Sequence, residues 1–279
     1  MSARAALPVR NPLDWDLGNT PPGIAWGGLD EAGRGAWAGP VVAACAVLDR
    51  ETAARWGHVL RAARDSKLLS PEKREDLAAE LKMILPGWAV AEVDNLGIDR
   101  ENILEATLYA MRQAAAGVAV RPRILLVDGN RAPRTGLPER LVVDGDALSC
   151  AIACASILAK THRDGLMRDL DRELPGYGFA RHKGYGTQIH RQALRELGAS
   201  PAHRLSYAPV AALVRPEDQL RGALLAEIER CGSVAELQAW VAASLRPAYG
   251  RLRLAWVELL RDRYGERLAA LAGGGRLAP

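Results

Sequence analysis

The sequence lacks the features that mark thiolate-metal, repeat and membrane proteins. It has four cysteines in 279 residues. None stands in a Cys-x-x-Cys pair or a paired Cys/His spacing, so we expect all four to pack in the core. No internal repeat and no long low-complexity tract is present. No segment is apolar over the length that spans a bilayer, and residues 1–20 lack the apolar core of a signal peptide. We therefore expect a cytoplasmic protein without membrane contact.

What is present is an ordinary globular composition with a mild basic excess. Hydrophobic residues make up 49% of the chain, charged residues 25%, and the formal net charge is +4. That charge alone does not identify a partner, but basic side chains cluster between residues 179 and 209, where Glu196 is the single acid. They are Arg181, His182, Lys183, His190, Arg191, Arg195, His203 and Arg204. With tyrosines interleaved, this segment favours an anionic polymer as partner.

Apolar runs and helical spacing predict a mixed α/β layer structure. Runs that read as strands, or that stop on an acid, lie at 24–29, 40–48, 87–94, 124–129 and 141–146. Helices are predicted from Ser70-Pro71, over 99–116 and over 147–174. Beyond residue 209 the chain changes character and reads as two or three amphipathic helices over 217–272, with breaks at 231–233 and 246–247.

The stretch Asp30-Glu31-Ala32-Gly33-Arg34-Gly35 places two acids directly after the first predicted strand and then supplies a turn. Alternate strand residues point to opposite faces, so both carboxylates can serve one site only if the backbone bends there. Gly33 and Gly35 permit that bend. Adjacent acids repel and are costly to desolvate, and a divalent cation such as Mg²⁺ or Mn²⁺ relieves both effects. The alternative interpretation is a solvated acidic turn.

Two further apolar runs end on acids, Asp128 in one and the pair Asp144 and Asp146 in the other. A single aspartate at such a place is usually a turn residue, and Asp146, just before a helix, is also a candidate N-cap. Several acids on neighbouring strands of one sheet would converge, which a cation makes tolerable. Convergent Asp and Glu with few His or Cys are the ligand set of two-metal phosphoryl-transfer enzymes.

The chain also carries a series of short motifs in a fixed order. They are Asp30-Glu31-Ala32-Gly33-Arg34-Gly35, Ala38-Gly39-Pro40-Val41-Val42-Ala43-Ala44, Asp65-Ser66-Lys67, Asn102-Ile103-Leu104-Glu105-Ala106-Thr107, Val127-Asp128-Gly129-Asn130, Gly145-Asp146, Ala155-Ser156-Ile157-Leu158-Ala159-Lys160, Arg163-Asp164, Tyr177-Gly178-Phe179 and His182-Lys183-Gly184-Tyr185. In order and spacing they resemble bacterial ribonuclease HII, the type 2 ribonuclease H. The resemblance predicts an N-terminal extension (1–22), a catalytic domain (23–214) and a helical C-terminal extension (215–279).

The resemblance implies an α/β protein of the ribonuclease H-like fold, with a mixed five-stranded sheet flanked by helices. It implies an endonuclease that hydrolyses the RNA strand of RNA/DNA hybrids and incises duplex DNA at single embedded ribonucleotides, leaving 5′-phosphate ends. Two ions of Mg²⁺ or Mn²⁺ in the substrate complex are implied as cofactors. We expect a monomer whose partners are hybrid and ribonucleotide-containing duplex.

Site residues follow from the resemblance, position by position. The catalytic and metal-binding acids are Asp30, Glu31, Asp128 and Asp146. The turn Gly33-Arg34-Gly35 corresponds to the element that contacts the ribose 2′-hydroxyl, and Tyr185 to the tyrosine that packs at the RNA–DNA junction. Expected phosphate contacts are Lys67, Asn102 and Lys183. Lys160 and Asp164 lie one helical turn apart and are expected to form a supporting ion pair beside the site.

Departures from the family pattern are Leu68 in place of a second lysine, Thr161-His162 before Arg163, and Trp37 after the glycine turn. Two other functions stay open at this point: a DNA-acting enzyme of the same fold, such as a resolvase or transposase, and a non-catalytic nucleic-acid-binding module. A reader of the 2′-hydroxyl has no use on pure DNA, and a binding module has no need of four converging carboxylates. The region from residue 215 either packs on the core or contacts a partner.

Overall fold

The computed structural model describes residues 11–63 and 70–273 and has a five-stranded sheet at its centre. The strands are β1 Trp26–Ala32, β2 Val41–Leu48, β3 Gly87–Val93, β4 Ile124–Asp128 and β5 Glu139–Val142. Their spatial order is β3-β2-β1-β4-β5. Strand β1 is antiparallel to β2 and parallel to β4, which in turn is parallel to β5. The predicted mixed sheet is confirmed.

Helices cover both faces of the sheet and form the C-terminal region. They are α1 Pro12–Asn19, α2 Arg50–Ala62, α3 Pro71–Ile84, α4 Asn95–Glu101, α5 Ile103–Ala116, α6 Gly145–Leu148, α7 Cys150–Glu173, α8 Phe179–His182, α9 Gln188–Leu197, α10 Ala208–Ala211, α11 Pro216–Arg230, α12 Val234–Trp240, α13 Arg246–Ala248 and α14 Leu254–Gly273. A π-helical turn, Val241–Leu245, and a 3₁₀ turn, Tyr249–Arg251, flank α13. None of the described helices combines the length and the apolar character needed to cross a membrane.

Strand β2 is buried along its whole length because helices pack on both sides of it. Its even-numbered residues, from Val42 to Leu48, belong to a cluster with α7 and the helices α1, α2 and α3. Its odd-numbered residues, from Ala43 to Val47, belong to a second cluster with α5. This alternation is the period of two that a strand imposes on its side chains. The four cysteines are free and buried, so their predicted core packing is confirmed.

Helix α7 lies unusually close to β1, and this contact sets the position of the site. A Cβ at Gly28 would stand 2.1 Å from the main-chain carbon of Ala151, so only glycine fits at this point of β1. The predicted helix over 147–174 is in fact two helices, because Ser149 is extended and its side chain caps α7 by accepting from the Ile152 N–H. Because α7 packs closely on β1, Ser156 of α7 lies beside Asp30 and forms a side-chain hydrogen bond with it.

Two other sequence predictions of secondary structure need correction. The helix predicted over 99–116 is broken at Asn102, which has φ +79° and whose side chain caps α5. The strand predicted over 141–146 ends at Val142, and Asp144 turns the chain with φ +53° before α6. Asparagine and aspartate tolerate the left-handed region, which is why the chain can bend at these points. The predicted start of α3, with Ser70 as N-cap, is confirmed.

The C-terminal helices enclose a hydrophobic cluster of their own, to which α4 contributes Leu96. The predicted break at 231–233 is confirmed, but the break predicted at 246–247 is wrong. Helical backbone continues there through the π turn, α13 and the 3₁₀ turn, and it stops at residues 252–253. An ion pair of Arg263 with Asp94 fastens α14 to the start of α4. The division of the chain at residue 215 stays a prediction.

Candidate active site

Asp30 and Glu31 were predicted to follow the first strand, but they lie inside β1, just beyond the point where its parallel pairing with β4 ends. Leu29 of β1 pairs with Val127 of β4, so Asp30 and Asp128 are the next residues along the two strands. Strand β5 runs parallel to β4 and ends at Val142, and the loop after it leads into α6, which carries Asp146 in its first turn. We call the four acids Asp30, Glu31, Asp128 and Asp146 the carboxylate edge.

Burial and mutual repulsion both act on the carboxylate edge. The side chain of Asp30 is almost fully buried, and burial together with the charge of Glu31 raises its pKa well above the ordinary value. Burial also raises the pKa of Glu31, although the Arg34 guanidinium opposes that rise. The pKa of Asp128 is raised by burial and by the charge of Asp146. Each of these acids therefore feels at least one other, as expected for a convergent group.

Main-chain donors and one arginine hold these carboxylates in part. Asp30 Oδ1 accepts from the Glu31 N–H and Asp128 Oδ1 from the Gly145 N–H, both at 2.7 Å. Glu31 Oε1 accepts from Arg34 Nη1 at 3.2 Å. Within residues 11–63 and 70–273, no group of three or more acids, histidines or cysteines stands close enough together to hold a metal ion. The carboxylates supply the hard oxygen donors that Mg²⁺ and Mn²⁺ prefer, so the residues fit such ions.

Asp146 is not the N-cap of α6, the alternative role that its position in the sequence allowed. Asp144 occupies the N-cap position of α6 and makes no side-chain cap there, whereas Asp146 lies within the helix and is half-buried. A negative charge in the first turn of a helix is favourable. Asp146 therefore contributes to the charge of the carboxylate edge without being the N-cap of α6.

The turn after β1 is held rigidly at one glycine and is open at the other. Gly33 has φ +94°, and a Cβ there would stand 2.0 Å from Nε of Arg163. Gly35 is exposed, and among the residues that the structure describes the atom near its Cβ position is Cε1 of Tyr185, at 3.8 Å. The Arg34 carbonyl between them accepts from Arg204 Nη1 at 3.0 Å and from the Tyr207 hydroxyl at 2.6 Å. The turn thus presents its Gly35 side to solvent from a fixed backbone.

A cleft of about 360 Å³ runs from Glu31 to the Tyr185 ring, and Glu31 is the member of the carboxylate edge that lines it. Its lining residues are Glu31, Ala32, Gly33, Arg34, Gly35, Arg74, Ser156, Ile157, Lys160 and Tyr185. Ser156 donates a hydrogen bond that lowers the pKa of Asp30 against the larger effect of burial. The predicted ion pair of Lys160 with Asp164 is confirmed, and its supporting role at the site stays a prediction.

Arg163 is a structural residue of the site to which sequence reasoning assigned no role. It is buried, and its guanidinium donates to three carbonyl oxygens, those of Pro40 (2.9 Å), Ala38 (3.2 Å) and Lys183 (2.9 Å). It also lies 5.7 Å from the centre of the Tyr185 ring. Burial lowers its pKa to about 10, which leaves it charged at neutral pH. One cation therefore ties the loop after the glycine turn to the loop that carries Tyr185.

The other predicted substrate contacts differ in their exposure and in whether they line the cleft. Tyr185 is 41% exposed at the end of the cleft. Lys183 is half-buried with φ +53°, and burial lowers its pKa. The Asn102 side chain is exposed and accepts from Leu104 N and Glu105 N, so its oxygen serves as a helix cap. Neither Lys183 nor Asn102 lines the cleft, and Lys67 lies outside the described residues.

Four of the eight side chains in the predicted basic cluster are buried and do not contribute to the protein surface. The side chains of His182, His190, His203 and Arg204 are buried. Burial lowers the pKa of all three histidines, that of His190 to about 4. Rings of His182 and His190 stack with centroids 4.3 Å apart, and those of His190 and His203 lie 5.2 Å apart. We call these three residues the histidine stack. For them the prediction of an electropositive surface is wrong, because they are neutral and packed inside.

Comparison with known proteins agrees with this arrangement. A family model described as ribonuclease HII matches residues 27–210. The ribonuclease HII of Desulfitobacterium hafniense (strain Y51) is 50% identical over 183 residues, which are 66% of this chain and 68% of that protein. The solved ribonuclease H2 of Pyrococcus horikoshii OT3 is similar with a TM-score of 0.59 and 25% identity, over 68% of this chain and 97% of that chain. Bst-RNase HIII, solved in complex with Mn²⁺, shares the fold at a TM-score of 0.53 and 20% identity, over 69% of this chain and 70% of that chain. This chain therefore belongs to the ribonuclease HII family, whose members are endoribonucleases that cleave the RNA strand of RNA/DNA hybrids.

Proposed function

We propose that this chain, besides cleaving the RNA strand of hybrids, incises duplex DNA at a single embedded ribonucleotide. The observation that carries the proposal is the place of the glycine turn, between the acids at the end of β1 and the exposed Tyr185 ring. One end of the cleft holds groups suited to cutting a phosphodiester. The other end holds groups suited to recognising one ribose and the deoxyribose next to it.

The carboxylate edge is the proposed ligand set for two divalent cations, Mg²⁺ or Mn²⁺. Enzymes of this family depend on divalent metal ions. When bound, such ions activate the attacking water and stabilise the leaving oxygen. The main-chain N–H groups of Glu31 and Gly145 orient the Asp30 and Asp128 carboxyl groups. The raised pKa values of these two acids support the assignment, because repelling carboxylates gain most from a nearby cation.

Recognition of the 2′-hydroxyl is assigned to the backbone of Gly33-Arg34-Gly35. No β-carbon stands between this backbone and a sugar at Gly35, and the space there is open except for Tyr185. Main-chain donors and acceptors that face a ribose hydroxyl would be left unpaired on DNA. An unpaired buried group costs about 1–3 kcal/mol, which is enough to separate a ribose from a deoxyribose.

Tyr185 is assigned to the sugar that follows the ribonucleotide. Its ring offers a flat apolar face, and the Arg163 guanidinium behind it fixes its position. A deoxyribose fits against such a face, whereas a second ribose would be crowded by its hydroxyl. All of these groups belong to a single chain, which supports action as a monomer.

The test is a nicking assay on three labelled substrates: a DNA duplex with one ribonucleotide, the same duplex without it, and a continuous RNA/DNA hybrid. We expect Mg²⁺-dependent cutting of the first and third, with a 5′-phosphate at the cut, and no cutting of the second. Cutting of the all-DNA duplex would indicate a resolvase-like enzyme instead. Binding of all three without any cutting would indicate a non-catalytic module.

A further inference from the structure

Two residues of the histidine stack, His203 and His190, form a chain of hydrogen bonds. The chain begins at a main-chain donor and ends at the Tyr185 carbonyl. The Ser200 N–H donates to Nδ1 of His203 at 2.8 Å. Nε2 of His203 lies 3.0 Å from Nε2 of His190. Nδ1 of His190 lies 3.0 Å from the Tyr185 carbonyl oxygen. The Ser200 hydroxyl oxygen also lies 2.7 Å from Nδ1 of His203, so every ring nitrogen of this pair has at least one polar neighbour at hydrogen-bond distance.

The partners indicate the tautomer of each ring. A main-chain N–H can only donate, and the Ser200 hydroxyl can donate as well while its oxygen accepts from the Ala202 N–H, so Nδ1 of His203 carries no hydrogen and its Nε2 does. That Nε2–H donates to His190, whose Nε2 is then bare and whose Nδ1–H must donate to the Tyr185 carbonyl. The same reasoning applies to His182, which accepts from the Gly184 N–H at Nδ1 and donates from Nε2 to the Tyr177 carbonyl. All three rings are neutral when every bond is made.

We propose that His190 is a positioning residue for Tyr185, and that His203 acts behind it by forcing the Nδ1–H tautomer that holds the Tyr185 carbonyl. The proposal rests on the role given to Tyr185 in the proposed function. The Tyr185 carbonyl also accepts from the Thr187 N–H at 2.8 Å, so two donors together fix the backbone from which the exposed ring projects. The stack thus sets the place of a ring that it does not itself touch.

The surroundings of the stack keep it neutral. Burial lowers the pKa of His203 well below its ordinary value, and the nearby Arg221 guanidinium acts in the same direction. Asp171 and Arg181 exert opposing charges on His182. The Trp37 ring packs against His190, and the Arg191 guanidinium lies 5.2 Å from the centre of the Trp37 ring. A second proton on any ring of the stack would face a main-chain N–H or another imidazole, and would break one bond of the chain.

The C-terminal helices close the far end of this chain. Arg221 of α11 is buried, donates to the Ser200 carbonyl at 3.0 Å and lies 4.3 Å from the centre of the Trp256 ring. Asp218 accepts from the Ala199 N–H at 3.3 Å and from Trp256 Nε1 at 3.0 Å. The residue that begins the hydrogen-bond chain is therefore held by a part of the protein beyond residues 27–210, the range of the family match.

The direct test is the imidazole ¹⁵N spectrum of the full chain, which has five histidines. We expect His182 and His203 as Nε2–H tautomers and His190 as the Nδ1–H tautomer at neutral pH. Observation of His190 as Nε2–H, or as a mixture, would overturn the proposal. This readout needs no substrate, so it does not depend on whether the enzyme incises single ribonucleotides. Because it uses the wild-type protein, this measurement still tests the proposal if a variant at these buried positions fails to fold.

Two substitutions of one residue connect the tautomer to activity. His203→Gln retains an amide donor at the place of Nε2, whereas His203→Leu removes the donor. In folded protein, His203→Leu should lower kcat/KM on a one-ribonucleotide duplex, relative to a continuous hybrid, by about tenfold, the value of one hydrogen bond. His203→Gln should restore most of that ratio. An unchanged ratio in folded His203→Leu would overturn the proposal, while failure of the wild-type enzyme to incise at all would instead overturn the proposed function.

Discussion

The carboxylate edge and the histidine stack are both groups of titratable side chains in buried or half-buried surroundings, yet they are held in opposite ways. Every ring nitrogen of the histidine stack has a hydrogen-bond partner, and the rings are neutral. Burial and neighbouring acids raise the pKa values of Asp30, Glu31 and Asp128, and hydrogen bonds from Ser156 and the Glu31 N–H oppose that rise at Asp30, the most buried of them. The histidine stack is complete as it stands, and we propose that divalent cations complete the carboxylate edge.

The two regions are therefore suited to different roles. The histidine stack is suited to positioning a loop, and the carboxylate edge is suited to binding catalytic cations. Satisfied polar groups stabilise one arrangement of the chain, and the histidine stack does this for the loop 183–185. A group of acids in mutual repulsion is unfavourable for folding but suited to binding a cation. The glycine turn lies between the two regions: its carbonyl at Arg34 is fixed by buried donors, while Gly35 faces the open cleft.

The largest effect is expected from removing one charge of the carboxylate edge. Asp30→Asn or Asp128→Asn should reduce kcat by about a thousandfold or more, because a bound metal supplies several kcal/mol of transition-state stabilisation. Folding and nucleic-acid binding should be retained. The measurement is Mg²⁺-dependent nicking under single-turnover conditions.

The matched control is Asp144→Asn, which removes the same charge from an exposed residue in the adjoining loop. Asparagine tolerates the left-handed backbone at this position. We expect kcat within a few-fold of wild type, about 1 kcal/mol at most. If Asp30→Asn retained wild-type turnover, or if the control lost as much as Asp30→Asn, the assignment of the edge as the metal site would be wrong.

The next effect concerns the turn between the two regions, where Gly33 and Gly35 differ. Gly33→Ala adds a Cβ 2.0 Å from Arg163 Nε at φ +94°, and the left-handed backbone alone costs about 1–2 kcal/mol. We expect lower stability and a loss of about tenfold to a hundredfold in kcat/KM on every ribose-containing substrate. Gly35→Ala meets only Tyr185 at 3.8 Å and should fold as well as wild type. Equal melting temperatures for the two variants would contradict this account of the turn.

A smaller and more selective effect is expected at Tyr185. Burying an apolar side chain contributes about 1.5–3 kcal/mol, so loss of the face against which the deoxyribose packs in Tyr185→Ala should lower kcat/KM on a one-ribonucleotide duplex by about tenfold to a hundredfold. Tyr249→Ala is the control, because Tyr249 is 39% exposed, close to the 41% of Tyr185, but lies in the C-terminal region. Unchanged kinetics in Tyr185→Ala would remove this tyrosine from the site.

The last effect concerns stability rather than turnover, and it appears only at acid pH. Burial lowers the pKa of His190 from 6.5 to about 4 in the folded protein. Its contribution to the free energy of unfolding is therefore fully present above pH 6.5 and is lost as the pH falls towards about 4. The loss is on the order of 3 kcal/mol. Asp16, whose pKa is raised to about 6 by burial, acts in the opposite direction, so the comparison must be made between wild type and His190→Asn. The stability difference between the two should shrink as the pH falls, and a constant difference would contradict the buried neutral state of His190.

Local patterns predicted more of the carboxylate edge than of the histidine stack. A strand that ends on Asp30-Glu31, followed by glycines, is visible in six consecutive residues, and so is the spacing of Lys160 and Asp164. The register that brings β4 beside β1 follows from the ordinary packing of apolar strands. The roles of the individual site residues stay predictions.

The buried cations and histidines could not be predicted from the sequence in the same way. Arg163, Arg204 and the histidine stack look like the surface residues around them in the sequence. The burial of the two arginines depends on carbonyl oxygens, distant in sequence, that accept their hydrogen bonds. The acceptors of Arg163, for example, lie 20 to 125 positions away. Asn102 was included in a helix because its neighbours have helical spacing, and only its cap geometry reveals the break.

The central claim is that the carboxylate edge is unfavourable by itself and is completed by a divalent cation. Thermal unfolding of wild type and Asp30→Asn, each metal-free and then with saturating Mn²⁺, tests this most directly. Because burial and repulsion raise the pKa of Asp30, its ionised form destabilises the fold as the pH rises. We predict that metal-free Asp30→Asn melts above wild type at neutral pH, and that Mn²⁺ raises the melting temperature of wild type but not of the variant. A metal-free variant that melts below wild type, or that gains as much from Mn²⁺, would contradict the account.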